Sequence, residues 1–78
     1  MKDYSIGDVS KETGVSQKQI RDWHAKGLIP EPVRIKCGKR AYRRFSWNHL
    51  QIIRLIKKYK EQGFTLRAAA KKAVQEMS

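Results

Sequence analysis

Acid is scarce in this chain, cysteine is nearly absent and no long apolar run occurs. Seven Asp and Glu stand against eighteen Lys and Arg, a formal net charge of +11 and a sequence pI near 10.2. Such an excess attracts polyanions and speeds encounter with them. Nucleic acid is the first candidate partner and an anionic membrane surface the second, with a basic surface that binds nothing as the plain alternative. The single cysteine, Cys37, excludes an internal disulfide and a Cys-rich zinc site and points to a reducing compartment. No segment approaches the ~20 apolar residues of a membrane span. The opening MKDYSIGD lacks the apolar core of a signal peptide, so a cytoplasmic location is the default expectation.

Catalytic constellations are missing as well. His24 and His49 fall on different predicted helices at no spacing that suggests shared metal ligation, and the acids are scattered with no close pair to hold Mg²⁺. No phosphate loop or nucleotide fingerprint occurs, and Gly38 reads as a turn glycine. Cys37 has basic neighbours that favour a thiolate in principle, but a loop cysteine is more simply read as incidental. The expectation is a protein with no enzymatic activity, no cofactor and no bound metal.

What is present is enough for one small domain. Seventy-eight residues with 40% hydrophobic and 9% aromatic content should fold around a modest core. No internal repeat, low-complexity tract or interdomain linker interrupts residues 1–78. Ser5 with Asp8 three positions on forms a capping-box pattern, and Ile6, Val9 and Thr13 then share a face, so a helix is expected over about 6–13. Gly14 ends it. Ser16 caps a second helix, about 17–26, closed by Gly27. Two short helices joined through Thr13-Gly14-Val15-Ser16 are the sequence form of a helix-turn-helix. Pro30 and Pro32 stiffen the next link. The alternating Val33-Arg34-Ile35, the turn signal Cys37-Gly38-Lys39 and the return over Ala41 to Phe45 predict a β-hairpin at about 33–45. Ser46 caps a third helix, about 47–62, whose apolar positions (Trp47, Leu50, Ile52, Ile53, Leu55, Ile56, Tyr59) cover over half its circumference, as expected of a central helix. Thr65 caps the last, about 66–76, with Leu66, Ala69, Ala70, Ala73, Val74 and Met77 in one stripe. The expected fold class is mainly α with a small β-hairpin, a winged helix-turn-helix in the order α-α-β-β-α-α.

The second helix and the hairpin carry the binding chemistry. Ile20 and Trp23 point one way on the helical wheel with Gln19 and His24 beside them, while Gln17, Lys18, Arg21 and Ala25 point the other way. An ordinary solvated face is the plain reading; the turn ahead of the helix and the basic stretch behind it argue for more. A helix fits the B-DNA major groove, where Arg or Lys pairs bidentately with guanine and Gln17 reads adenine in the same manner. Most contacts in such complexes go to phosphate, a role suited to Arg34, Lys39, Arg40, Arg43 and Arg44. Trp23 has a core position, with its indole N–H reaching a phosphate as the alternative.

Taken in order, Tyr4-Ser5-Ile6-Gly7-Asp8-Val9, Thr13-Gly14-Val15-Ser16, Ile20-Arg21, Gly27-Leu28-Ile29-Pro30, Tyr42-Arg43-Arg44-Phe45 and Gly63-Phe64-Thr65-Leu66 resemble the DNA-binding domain of MerR-type transcription regulators, from Tyr4 to about Gln75. The resemblance implies a second helix in the major groove and a hairpin wing on flanking backbone. It places Arg21 at the family's helix arginine, Trp23 at an aromatic that often touches phosphate, and Arg43 at the arginine of the Tyr-Arg-x-aromatic motif. The residue reading and the resemblance together give an expected DNA-binding set of Ser16, Gln17, Lys18, Arg21, Trp23, His24, Arg34, Lys39, Arg40, Tyr42, Arg43 and Arg44. Asp22-Trp23-His24 departs from the family's usual Tyr-Tyr-Glu and leans toward the branch with Trp here. Members normally continue into a dimerisation helix and an effector domain, and this chain stops at Ser78. An isolated domain that dimerises through a region outside this chain and a stand-alone excisionase-like or terminase-like DNA-architectural protein both fit. Two other classes compete: a basic module docking an acidic protein partner, and a structured-RNA binder, although the narrow RNA major groove would not admit the second helix.

Overall fold

A computed structural model describes residues 4–30, 33–37 and 40–77, with the side chains of 33–37 and 40–43 outside the description. The elements in chain order are α1 (Ile6–Thr13), α2 (Gln17–Ala25), β1 (Val33–Cys37), β2 (Arg40–Arg44), α3 (Trp47–Glu61) and α4 (Leu66–Glu76). Each helix starts where a hydroxyl can satisfy an otherwise unpaired amide. Ser5 Oγ accepts from the Asp8 N–H and the Asp8 carboxylate accepts from the Ser5 N–H, completing a capping box. Ser16 and Thr65 accept from the Gln19 and Ala68 amides. At α3 the usual acid is replaced by a histidine: Ser46 Oγ accepts from the His49 N–H, and His49 Nδ1 accepts from the Ser46 N–H at 3.0 Å.

Two helix ends share one hydrogen-bond pattern. After α2 the Leu28 N–H reaches Trp23 O and the Gly27 N–H reaches His24 O; after α3 the Phe64 N–H reaches Tyr59 O and the Gly63 N–H reaches Lys60 O. This pairing needs a left-handed residue at its centre, and Gly27 and Gly63 supply φ of 73° and 101°. The apolar contact that accompanies it is the edge-to-face pair of Tyr59 and Phe64, 5.5 Å between centroids.

The core is helical. Val9 of α1, Ile20 and Trp23 of α2, Leu50, Ile52, Ile53, Ile56 and Tyr59 of α3, and Ala69, Ala70 and Ala73 of α4 are buried together with Val15, Ile29 and Phe45 from the connections. Helix α3 packs along α4 and also touches α1, which in turn packs on α2. The three small alanines of α4 let its axis approach α3 closely. Trp47 departs from the expected central stripe: it is 55% exposed, because the first residue of α3 projects past its neighbours.

The hairpin pairs antiparallel with Val33 opposite Arg44, Arg34 opposite Arg43 and Cys37 opposite Arg40. The chain entering α1 is tied to its end by two backbone bonds between Tyr4 and Phe45, at 2.7 and 2.8 Å. Here the expected fold class needs correction. The sequence reading makes a hairpin wing a structural part of the fold, whereas the described packing is a four-helix helix-turn-helix body. Among the described residues the two strands pair with each other, and no wing packed on the helices is seen. The physical reason is that a lone two-stranded ribbon has no second layer against which to bury a face. Of the expected wing residues, Lys39 lies outside the described residues altogether.

Candidate nucleic-acid interface

The helix-turn-helix forms because three local signals agree. Gly14 takes φ of 76° and its N–H bonds to Ser10 O, ending α1. Thr13 Oγ1 donates to Val9 O at 2.7 Å and accepts from the Val15 N–H at 3.2 Å, so one buried hydroxyl closes both the helix and the turn. Val15, 2% exposed, then plugs the angle between α1 and α2. Ser16 restarts the chain as a helix.

This arrangement sorts the side chains of α2. Ile20 is fully buried and Trp23 is 3% exposed, so both anchor the helix inward. Ser16, Gln17, Lys18 and Arg21 are exposed, as is Asp22, while His24 is half-buried. The outward face is lightly restrained: Arg21 Nη2 donates to Gln17 Oε1 at a long 3.5 Å, and Asp22 pairs with Lys26 at 2.9 Å along the helix. Gln17 also lies over α1, since a Cβ added to Gly7 would come 3.6 Å from Gln17 Nε2. Trp23 is placed in the core with Lys60 Nζ 6.0 Å from its ring, so its ring does not belong to the exposed face.

Of the basic stretch that follows, Arg44 is exposed. Arg34, Arg40, Tyr42 and Arg43 are placed by strand register alone, and their side chains, like Lys39 as a whole, lie outside the described residues. A group that sequence reasoning missed stands on α3. Lys57 and Lys60 line a cleft of about 280 Å³ with Gln19 and Trp23 of α2 and Gly14 and Val15 of the turn. Lys57 Nζ donates to Thr13 O at 3.3 Å, and Arg54 Nη2 donates to Glu12 O at 3.2 Å. The i, i+3 spacing of these two cations puts them on one side of α3, but only the tertiary fold reveals the carbonyls they meet.

Among the described residues no group of His, Cys, Asp and Glu is arranged to hold a metal ion, and no helix is long and apolar enough to cross a membrane. The arrangement is suited to noncovalent recognition of an anionic surface.

Comparison with known proteins points the same way. Residues 4–76 match the MerR HTH family of regulatory proteins. The HTH-type transcriptional regulator CueR of Salmonella typhi is 37% identical over 62 residues, which cover 80% of this chain and 43% of that protein. The mercuric resistance operon regulatory protein of Bacillus cereus is 38% identical over 63 residues, covering 81% of this chain and 46% of that protein. This chain therefore spans less than half the length of these curated relatives. Among solved structures, HiNmlR, a MerR family regulator lacking the sensor domain and bound to promoter DNA, superposes with a TM-score of 0.78 at 25% identity, over 97% of this chain and 55% of that one. The family match extends through both helices of the turn and through α3 and α4, so this chain belongs to the MerR HTH family of regulatory proteins.

Proposed function

We propose that this chain is the DNA-reading module of a MerR-type transcription regulator and binds double-stranded DNA sequence-specifically. The observation that carries the reading is the sorting of α2. Ile20 and Trp23 hold the helix to the core, and Gln17, Lys18 and Arg21 are left outward with few intramolecular bonds. An α-helix matches the width of the major groove, and these side chains are types that read guanine and adenine edges there. Ser16, at the helix N-terminus, and half-buried His24 flank that face. Arg34, Lys39, Arg40, Tyr42, Arg43 and Arg44 add cations and hydroxyl-bearing chemistry suited to phosphates, which set register without reading sequence. The promoter-bound relative supports duplex DNA as the ligand. In a longer protein, dimerisation outside this chain would bring two such modules onto two half-sites.

The test is selection of duplexes from a random pool with the purified chain, followed by titration of the selected and scrambled duplexes at two salt concentrations beside double-stranded RNA. A recovered motif bound in preference to scrambled DNA and to RNA is expected. Sequence-blind binding that disappears as salt rises would overturn the reading and leave only a basic surface.

A further inference from the structure

The turn that aims α2 is held from behind by two cations of α3. Helix α1 ends with carbonyls that have no partner within the helix, and its C-terminus carries the negative end of the helix dipole. Arg54 donates to Glu12 O at 3.2 Å and pairs with the Glu12 carboxylate at 3.7 Å. One turn further along α3, half-buried Lys57 donates to Thr13 O at 3.3 Å. The two carbonyls belong to consecutive residues immediately before Gly14, where the chain changes direction. The same ammonium would lie 2.7 Å from a Cβ at Gly14, so Lys57 occupies the space that the glycine leaves open.

Thr13 is already committed on its hydroxyl side, to Val9 O and the Val15 N–H. With Lys57 on its carbonyl, both ends of this buried residue are fixed. The Thr13 carbonyl belongs to the Thr13–Gly14 peptide at the reversal between α1 and α2, so a rotation of that peptide that changed the angle between the helices would carry the carbonyl away from Lys57. From this geometry we propose that Lys57, assisted by Arg54, is a positioning residue that sets the angle of α2 for base reading rather than a residue that touches DNA.

The inference rests on the duplex-binding reading above, and the test separates the two. Lys57→Met keeps the apolar stem and removes the ammonium; Lys57→Arg keeps a cation of sufficient reach. Thermal melts first select a temperature at which all variants are folded. Affinity for the selected duplex and for a scrambled one is then measured across a salt series. Lys57→Met is expected to weaken the selected duplex about fivefold, the size of one net hydrogen bond, with the scrambled duplex and the salt slope unchanged. Lys57→Arg is expected to restore the selected affinity. A slope reduced by about 0.9 on both duplexes would show a direct phosphate contact and overturn the proposal. Unaltered preference for the selected duplex would overturn it too. If Lys57→Met does not fold, Arg54→Met takes its place with the same expectations. Failure of the unmodified chain to prefer any duplex would instead sink the functional reading itself.

Discussion

Ile20 and Arg21 are neighbours in sequence on α2, yet truncating each should damage a different property. Ile20 is fully buried, and removing its side chain to Ala leaves a cavity worth about 2–5 kcal/mol. A chain of this length has a total stability of roughly 4–12 kcal/mol, so Ile20→Ala should unfold a large share of the protein or lower its urea midpoint severely. Arg21 is exposed, and among the described residues its side chain donates to Gln17 Oε1 at 3.5 Å. A long surface contact of that kind is worth a few tenths of a kcal/mol, about 0.2–0.5. Arg21→Ala should therefore leave the urea midpoint nearly unchanged and cost about 1–3 kcal/mol of affinity for the selected duplex if the guanidinium reads a base. Urea unfolding followed by tryptophan fluorescence, in which buried Trp23 reports the core, and DNA anisotropy on the same samples give both quantities. The reasoning is refuted if Arg21→Ala unfolds the domain, or if it leaves affinity intact on every duplex tested.

Further consequences can be checked with the same tools. Gly14→Ala forces a Cβ into the left-handed region at φ 76° and against Lys57; a loss of about 1–2 kcal/mol or more is expected in urea titrations, and a stability equal to the unmodified chain would contradict the turn geometry. Ser46→Ala removes the hydroxyl that accepts from His49 N–H, so α3 should lose about 1 kcal/mol and its first-turn amides should exchange faster. Neutralising Arg40 and Arg43 together should flatten the salt dependence of duplex binding by about two units of log K per log salt; an unchanged slope would place both residues away from the phosphates.

Much of the architecture is legible because it is local. Ser5, Ser16, Ser46 and Thr65 each precede a helix in the sequence, and each caps one in the structure. Gly14 and Gly27 fall at the expected helix ends, where a positive φ is required, and Gly63 takes the same region after α3. The inward assignment of Ile20 follows from helical spacing alone. Trp47 and Val74, expected on apolar stripes, are 55% and 37% exposed, because a stripe predicts which side a residue faces but not whether a neighbour extends far enough to cover it. The wing expected as part of the fold class is not seen packed on the helices, for a related reason: alternation predicts strands but not a partner layer. The Lys57 contact to Thr13 joins residues 44 apart in sequence, and no local pattern encodes such a meeting. The outward set on α2 is legible as a face, and the helical wheel already sets Trp23 on the other side with Ile20, where its 3% exposure places it.

The most direct test of the account is to map amide chemical-shift changes along the chain as the selected duplex is added to the labelled protein. If α2 reads DNA, the largest changes fall on Ser16 to Arg21 and on the basic stretch from Arg34 to Arg44, and the interior of α4 stays still. Changes confined to α4 and the far side of α3, with Gln17, Lys18 and Arg21 unmoved, would contradict it.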